Sequence, residues 1–248
     1  MDKRFLYKEG IIKKLGNGFE SDVYLYNDSG KDVVLKLFRE CPSLDNKELK
    51  LILLNEKKEL LNNFRLIHRI YDRDNKFIGY TLPYEPSETL NNYICKSKKT
   101  KINILNMLQE KYQELNENDI FIGDYNYTNF GIKDNKLILY DVDNYSIDGF
   151  DFDIKDNFMN DYFKKTNKND NIDYYCFNLF TLSFMTRIIP EAIIRQMRIN
   201  GLPKEFRNED CKNIYRSLFK INDDFIKEKL DNGDDMTLIK CMKKGLFK

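Results

Sequence analysis

The alternation of apolar and polar residues predicts a β-rich beginning of the chain. Residues 11–15, 23–26 and 32–38 form three short apolar stretches of the length expected for strands. They are separated by Gly16-Asn17-Gly18 and by residues 27–30, whose Asn, Asp, Ser and Gly favour hairpin turns. The pattern therefore predicts antiparallel strands joined by tight turns.

The next segments predict helices on either side of two further strands. Residues 44–63 contain no Gly or Pro, and their apolar residues recur at steps of three and four. The predicted apolar face of this helix carries Leu49, Ile52, Leu53 and Leu60, together with Glu56. Strand character returns at residues 70–71 and 77–82. A second amphipathic helix then presents Ile102, Leu105, Leu108, Tyr112 and Leu115, and the pattern is mostly helical from Asp173 onward, ending in charged helices over residues 203–248.

Composition and charge narrow the class of protein. The 248 residues, 42% of them hydrophobic, suffice for one large domain or two lobes with their own cores. A net charge of +1 gives no field that would recruit nucleic acid or a membrane surface, and we expect neither as a partner. The charged N-terminus does not resemble a signal peptide, and no apolar run is long enough to span a membrane. We therefore expect a soluble, cytoplasmic protein.

The reactive side chains are few. Five scattered cysteines (Cys41, Cys95, Cys176, Cys211 and Cys241) form no CxxC pair, so we expect thiols and no zinc site. His68 is the only histidine, and its apolar-basic surroundings favour a structural role. Catalysis would therefore depend on carboxylates, lysine and a metal ion.

Polar residues lie at the edges of the short apolar runs in residues 121–145. Asp124, Asn129, Asp141 and Asp143 are the residues concerned. Asp and Asn are common in turns, so each of them has an ordinary structural explanation. Together they also form a set of oxygen atoms of the kind that binds a hard cation such as Mg²⁺. Both interpretations stay open at this point.

A second candidate site lies near the N-terminus. Residues 16–23 read G-x-G-x-x-S-x-V, with Gly16, Gly18, Ser21 and Val23, between two predicted strands. Glycines let backbone N–H groups approach phosphate oxygens closely, although Gly-Asn-Gly is also an ordinary hairpin turn. Lys36 ends the next apolar strand run and could neutralise phosphates. Such a lysine needs a carboxylate to hold it, which Glu56 on the following helix could provide.

The order of these features resembles the protein kinase fold. Members of that family have a Gly-rich loop, a strand lysine, a helix glutamate, a D-x-x-x-x-N loop and a D-F-G metal site. Here, Gly16 to Gly18, Lys36, Glu56, residues 124–129 and residues 141–143 are similar in order and spacing. The resemblance implies an α+β, bilobal protein kinase-like fold. Residues 1–84 would form a small β-rich N-lobe with one helix, and residues 85–248 a larger, mainly helical C-lobe.

The same resemblance implies roles for individual residues. Asp124 would act on the acceptor hydroxyl, and Lys36, held by Glu56, would contact the nucleotide phosphates. Asn129 and Asp141 would hold Mg²⁺. ATP would lie under Gly16, Gly18, Ser21 and Val23, with Leu82 as gatekeeper and the backbone of Pro83 and Glu85 bonding adenine. Asp173 is similar to the aspartate that opens the buried helix of the kinase C-lobe.

Several departures from the family pattern bear on the reaction. Ile122-Gly123-Asp124 replaces H-R-D, which resembles aminoglycoside-type phosphotransferases and also divergent bacterial or phage protein kinases of the eukaryotic type, so we expect activity without phosphorylation of an activation loop. Asn126 stands where protein Ser/Thr kinases carry lysine, and D-V-D replaces D-F-G, so Asp143 could add a carboxylate near the metal. Glu20 in the glycine loop is expected to face solvent, because it would otherwise repel phosphate.

Three functions are compatible with this sequence. The first is an ATP- and Mg²⁺-dependent kinase that transfers the γ-phosphate to a hydroxyl group, with a protein Ser/Thr acceptor slightly preferred over a small molecule. The second is a pseudokinase that binds nucleotide as a scaffold. The third is a nucleotidyltransferase built on the same fold.

Overall fold

The computed structural model describes residues 3–5, 10–18, 20–39, 44–61, 64–152, 172–188 and 192. The charged helices predicted for residues 203–248, like Cys41, Cys211 and Cys241, lie outside the described residues. Within these ranges, no helix is long and apolar enough to cross a membrane.

A six-stranded sheet forms the N-terminal lobe. Its strands, in chain order, are β1 (Lys3–Phe5), β2 (Ile11–Asn17), β3 (Ser21–Asp28), β4 (Lys31–Phe38), β5 (His68–Tyr71) and β6 (Phe77–Pro83). Their order across the sheet is β1-β5-β6-β4-β3-β2. The predicted strands from residue 11 to residue 82 are confirmed, and β1, which pairs parallel to β5, is an addition that the apolar pattern did not predict.

The strand register aligns the predicted nucleotide-site residues of this lobe. Gly16 pairs with Val23, Val23 with Lys36, and Lys36 with Tyr80 across four neighbouring strands. Gly79, on the strand beside Lys36, has no Cβ, and a Cβ there would lie 2.2 Å from the carbonyl oxygen of Lys36. The close approach of β6 to β4 thus depends on this glycine.

Helix α1 (Leu44–Glu56) packs against this sheet, and a 3₁₀ turn (Lys58–Leu61) follows it. The single helix predicted for residues 44–63 is therefore too long. Its predicted buried face is correct only in part: Leu53 and Leu60 pack against the core, but Leu49 is 53% exposed. The face that is buried carries Leu44, Lys47, Lys50, Leu51 and Leu54. Two lysines on it form hydrogen bonds inside the protein, which a purely apolar pattern cannot predict.

The described part of the C-terminal lobe is built on two helices, α2 (Lys98–Asn116) and α3 (Ile172–Thr186). Helix α2 buries Leu105, Leu108, Tyr112 and Leu115 of the predicted face. In α3 every residue from Ile172 to Phe184 is buried, as expected of a helix that is apolar on all sides. These two helices contact each other at the centre of the described part of the lobe.

Short strands cover this helical centre near the other lobe. They are β7 (Glu88–Thr89), β8 (Ile120–Phe121), β9 (Phe130–Lys133), β10 (Lys136–Leu139) and β11 (Ser146–Ile147). They form a three-stranded sheet, β10-β9-β7, and a two-stranded sheet, β11-β8. The chain passes from the large sheet to these small sheets between Pro83 and Glu88. The α+β architecture with a β-rich N-terminal lobe is thereby confirmed, whereas the exact boundary at residues 84 and 85 stays a prediction.

Candidate active site

Hydrogen bonds to the first turn of α3 hold the loop that carries Asp124. Asp173 is fully buried, and its two carboxylate oxygens accept hydrogen bonds from the backbone N–H groups of Ile122 (2.9 Å) and Gly123 (2.7 Å). Burial raises the pKa of Asp173 to about 7, although these two bonds act in the opposite direction. Gly123 has φ +68°, a left-handed conformation that glycine adopts without strain. A glycine directly before Asp124 is thus a requirement of the loop backbone.

Aromatic packing holds the same loop on α3. The ring of Tyr125 lies 6.2 Å from that of Phe177 and 6.1 Å from that of Phe180, measured between centroids. Phe130, at the end of the loop, lies 5.8 Å from Phe180 in an edge-on arrangement. Such pairs add to the stability gained by burial alone. The apolar residues around Asp124 and Asn129 therefore position the polar ones.

Asp124 and Asn129 are in direct contact. The amide of Asn129 donates to Asp124 Oδ2 at 2.8 Å and to the Asp124 carbonyl oxygen at 3.2 Å. Burial raises the pKa of Asp124 and the negative charge of Asp141 acts in the same direction, while the bond from Asn129 lowers it. A carboxylate with a raised pKa accepts a proton more readily than an ordinary surface aspartate.

Asp141 is brought to this loop by a hairpin. Strands β9 and β10 turn at Asp134 (φ +48°) and Asn135 (φ +58°), and the N–H of Tyr140 then donates to the carbonyl oxygen of Asn129 at 2.8 Å. Asp141 itself has a left-handed backbone, with φ +50° and ψ +34°. Non-glycine residues adopt this conformation infrequently, and such residues cluster at functional sites.

Lys36 is paired with the segment that follows the hairpin. Its Nζ lies 2.9 Å from Asp141 Oδ1 and 2.7 Å from Asp143 Oδ1. Burial alone would lower the pKa of Lys36, but these two carboxylates raise it. The predicted pairing with Glu56 is wrong: Glu56 is exposed at the end of α1, because the buried face of that helix points elsewhere.

Helix α1 contributes a lysine to this site, which the sequence interpretation missed. Lys47 is 1% exposed; its Nζ lies 2.7 Å from Glu20 Oε2 and 3.4 Å from Asp143 Oδ2. Glu20 was expected to face solvent, yet its side chain is only 20% exposed because it pairs with Lys47. The one available signal was the spacing of Leu44, Lys47, Leu51 and Leu54, which places this lysine among leucines on one helix face.

The two loop glycines leave open space. A Cβ on Gly16 would meet no atom within 4 Å, and one on Gly18 would meet only Ser21 atoms at 3.8 Å. Neither residue is among those with positive φ in the described chain. A collision of a Cβ with its neighbours therefore does not explain these glycines, although the register of β2 against β3 shifts between Lys14 and Gly16. Ser21 is buried beneath this loop, and Val23 lies beside Gly16 in the sheet.

The segment between the lobes holds the residues expected to contact adenine. Leu82 pairs with Val34 across β6 and β4, and Pro83 with Val33, so both lie where the sheet ends. The carboxylate of Glu85 lies 3.4 Å from Lys133 Nζ. The adenine contacts of Leu82, Pro83 and Glu85 stay a prediction.

Oxygen atoms suitable for a metal are present beside Lys36. Within the described residues, no group of three or more His, Cys, Asp or Glu side chains could hold a metal ion alone. Mg²⁺ that binds with a nucleotide needs only one or two protein oxygens, because phosphates and water complete its coordination. The Asp141 carboxylate is 43% exposed, and the buried Asn129 offers an amide oxygen that accepts from Thr128 Oγ1 at 3.4 Å. These residues are compatible with a magnesium-nucleotide complex.

Comparison of the sequence with known protein families and with curated proteins gave no match. Comparison with solved structures did. The structure of the Cydia pomonella granulovirus kinase PK-1 aligns with a TM-score of 0.62 over 86% of this chain and 88% of that chain, at 16% sequence identity. At this level of identity the likeness concerns the fold. Together with the lobes and the order of motifs, it identifies the architecture: the chain has a protein kinase-like fold.

Proposed function

We propose that this protein is an ATP- and Mg²⁺-dependent phosphotransferase that moves the γ-phosphate to a hydroxyl group, with a protein Ser/Thr side chain as the preferred acceptor. The observation that carries the proposal is the convergence of Lys36, Asp141 and the Asp124–Asn129 pair at one site between the lobes. These residues are separated by up to 105 positions in the sequence. A purely structural role for each would not require them to meet.

The chemistry of phosphoryl transfer explains the types of residue. Its transition state needs alignment of the reacting groups and compensation of phosphate charge. Lys36 would supply positive charge at the phosphates, and the open backbone of Gly16 and Gly18 would let amide groups approach them. Asp124, with its raised pKa, would orient the acceptor hydroxyl and take its proton. Asn129 would hold Asp124 in place through its 2.8 Å bond.

The proposal includes magnesium because of the chemistry of the site. Asp141 and Asn129 would hold the ion through a carboxylate and an amide oxygen, which suit a hard cation. When bound, Mg²⁺ supplies neutralisation of the phosphate charge during transfer. The similarity to a solved viral kinase is in agreement with this assignment.

A small-molecule acceptor is the second candidate, and Asn126 favours it. In protein Ser/Thr kinases a lysine at this position contacts the γ-phosphate. Here the Asn126 side chain is turned back on its own loop, where its Oδ1 accepts from the N–H and Oγ1 of Thr128, both at 3.1 Å. A substrate recognised mainly by its own hydroxyl and surrounding polar groups would not need that lysine.

The decisive experiment combines binding and transfer. The melting temperature is followed during titration with ATP, with and without Mg²⁺, and transfer is then measured with ATP labelled in the γ or the α position. Protein hydroxyl substrates and small-molecule alcohols are offered in parallel. The control is Asp124→Ala, which should keep the nucleotide-induced shift and lose transfer.

Each outcome separates the candidates. Transfer of the γ label that depends on Asp124 supports the phosphotransferase, and the acceptor that receives it decides between protein and small molecule. Transfer of the α label would identify a nucleotidyltransferase. A nucleotide-induced shift without any transfer would identify a pseudokinase, and the absence of both would refute the proposal.

A further inference from the structure

We propose that Asp143 is the positioning residue for Lys36. In the kinase pattern a glutamate on the helix has this role, whereas here an aspartate on the 3₁₀ turn after Asp141 has it. The inference rests on the proposed function, because it concerns the lysine assigned to the nucleotide phosphates. It also excludes Asp143 from the set of metal ligands. The reasons lie in the contacts of its two oxygens and in the charge of α1.

Both oxygens of Asp143 face groups of the protein. Oδ1 accepts from Lys36 Nζ at 2.7 Å and from the hydroxyl of Tyr80 at 2.8 Å. Oδ2 lies 3.4 Å from Lys47 Nζ, and the side chain is 0% exposed. A metal ligand must present a lone pair to an open coordination site, whereas this carboxylate is enclosed by two ammonium groups and a hydroxyl. Asp141, by contrast, is 43% exposed.

Helix α1 presents a positive charge to this site, so the carboxylate that holds Lys36 is that of Asp143. A lysine that binds phosphate needs an anion to hold it in place, yet α1 presents the buried cation Lys47 to this site while Glu56 is exposed. Lys47 would repel Lys36 if no carboxylate lay between them. Asp143 lies between them and pairs with both. The charges then alternate, from the partly exposed Glu20 through the buried Lys47 and Asp143 to Lys36.

One short turn carries both aspartates that contact Lys36. Asp143 lies two positions after Asp141, on the short 3₁₀ turn Val142–Asn144. The anchor of the lysine and the metal-binding aspartate are therefore fixed by one turn. Helix α1 supplies Lys47, the positive charge that pairs with Asp143. Because α1 presents no carboxylate to Lys36, rotation of this helix would not bring a partner to that lysine.

The pairing is tested without nucleotide by the rate at which Lys36 is modified. Reductive methylation by formaldehyde requires the uncharged amine, and peptide mass spectrometry reports each lysine separately. Asp143→Asn should raise the Lys36 rate about tenfold, because a buried charge-assisted hydrogen bond is lost. The matched control is Asp148→Asn, since Asp148 is an exposed aspartate in the same segment, 3.4 Å from Lys57. An unchanged Lys36 rate in folded Asp143→Asn would overturn the proposal.

A second pair of variants covers the case in which Asp143→Asn does not fold. Removing a buried carboxylate leaves two ammonium groups with too little compensation, which destabilises a protein strongly. Lys47→Met combined with Asp143→Asn removes one charge of each sign and keeps the cluster balanced. Lys36 should be methylated about tenfold faster in this double variant than in Lys47→Met alone. Equal rates in the two would overturn the pairing.

Kinetics then distinguish positioning from metal binding. We expect Asp143→Asn, or the double variant relative to Lys47→Met, to lower kcat/KM for ATP about 10- to 100-fold, as when a group that orients a functional residue is lost. Raising the Mg²⁺ concentration should not restore the rate, and recovery of activity at high Mg²⁺ would assign Asp143 to the metal instead. If the wild type neither binds ATP nor transfers phosphate, the proposed function fails, while the methylation rates still decide whether Asp143 holds Lys36.

Discussion

The clearest functional signal from single residues comes from Gly16 and Gly18. A glycine in a strand or turn lowers stability because it increases the freedom of the unfolded chain. At Gly10 and Gly79 that cost has a structural reason, since a Cβ would collide with Tyr26 or with the Lys36 carbonyl oxygen. At Gly16 and Gly18 no such neighbour exists. Under the proposed function, nucleotide phosphates that approach the backbone at this point would account for both glycines.

The double variant Gly16→Ala/Gly18→Ala separates binding from stability. Because the added methyl groups meet open space, the melting temperature should stay the same or rise slightly. Nucleotide affinity should fall, since the same methyl groups occupy the space that phosphate oxygens would use. The measurement is the melting temperature with and without ATP. The control Gly79→Ala should lower the melting temperature and reduce the free energy of unfolding by about 1–3 kcal/mol, because it forces β6 away from β4. A large loss of stability in the double variant would contradict this interpretation.

At the scale of elements, strands β2 to β6 of the large sheet were predictable, whereas the orientation of α1 was not. The turn at Asp134 and Asn135 depends on local turn chemistry, whereas the bond from Gly123 to Asp173 in α3 joins residues 50 positions apart. The buried face of α1 depends on Lys47 and Lys50, whose charges are compensated by Glu20, Asp143 and a backbone carbonyl far away in the sequence. Sequence periodicity treats lysine as exposed, so the predicted face carried Glu56 in place of Lys47.

Two glutamates of α1 test this corrected orientation. Glu56→Gln changes an exposed side chain, so activity and stability should stay close to those of the wild type. Glu48→Gln, the same chemical change on the same helix, removes the charge that pairs with Arg69 and accepts from the hydroxyl of Tyr71. It should cost about 1–3 kcal/mol of stability. Urea unfolding of both variants, with phosphate transfer as the second readout, makes the comparison. A large loss of transfer in Glu56→Gln would reinstate Glu56 as the partner of Lys36.

At the scale of the whole molecule, the two lobes are joined by buried charge as well as by the chain. Lys36 and Lys47 belong to the N-terminal lobe, while Asp141 and Asp143 belong to the turn after β10. Lys50 adds a bond from α1 to the carbonyl oxygen of Asp151, at 3.0 Å. Removing one partner of such a buried ion pair lowers the free energy of unfolding by more than an exposed ion pair adds to it. The ion pairs that join the lobes thus involve the same groups as the candidate active site.

Asp173 gives the whole molecule a pH dependence of stability. Burial raises its pKa to about 7, against 3.8 for an ordinary aspartate. Between these values the folded chain keeps the proton and the unfolded chain does not. The free energy of unfolding therefore falls as pH rises from about 4 to 7 and is constant, for this group, above that range.

Comparison with Asp173→Asn isolates this contribution, because the amide does not titrate. The variant carries a constant penalty, since its NH₂ group faces the N–H of Ile122 or Gly123, which both donate to Asp173 in the wild type. Urea unfolding at pH 5 and pH 8 should show the wild type losing stability relative to the variant, by at most about 3 kcal/mol, because about two pH units of this interval lie below the pKa of folded Asp173. Parallel changes in the two proteins would mean that the N–H bonds from Ile122 and Gly123 keep Asp173 ionised throughout. In that case the ionised carboxylate of Asp173 would hold the loop that carries Asp124 at every pH at which the protein works.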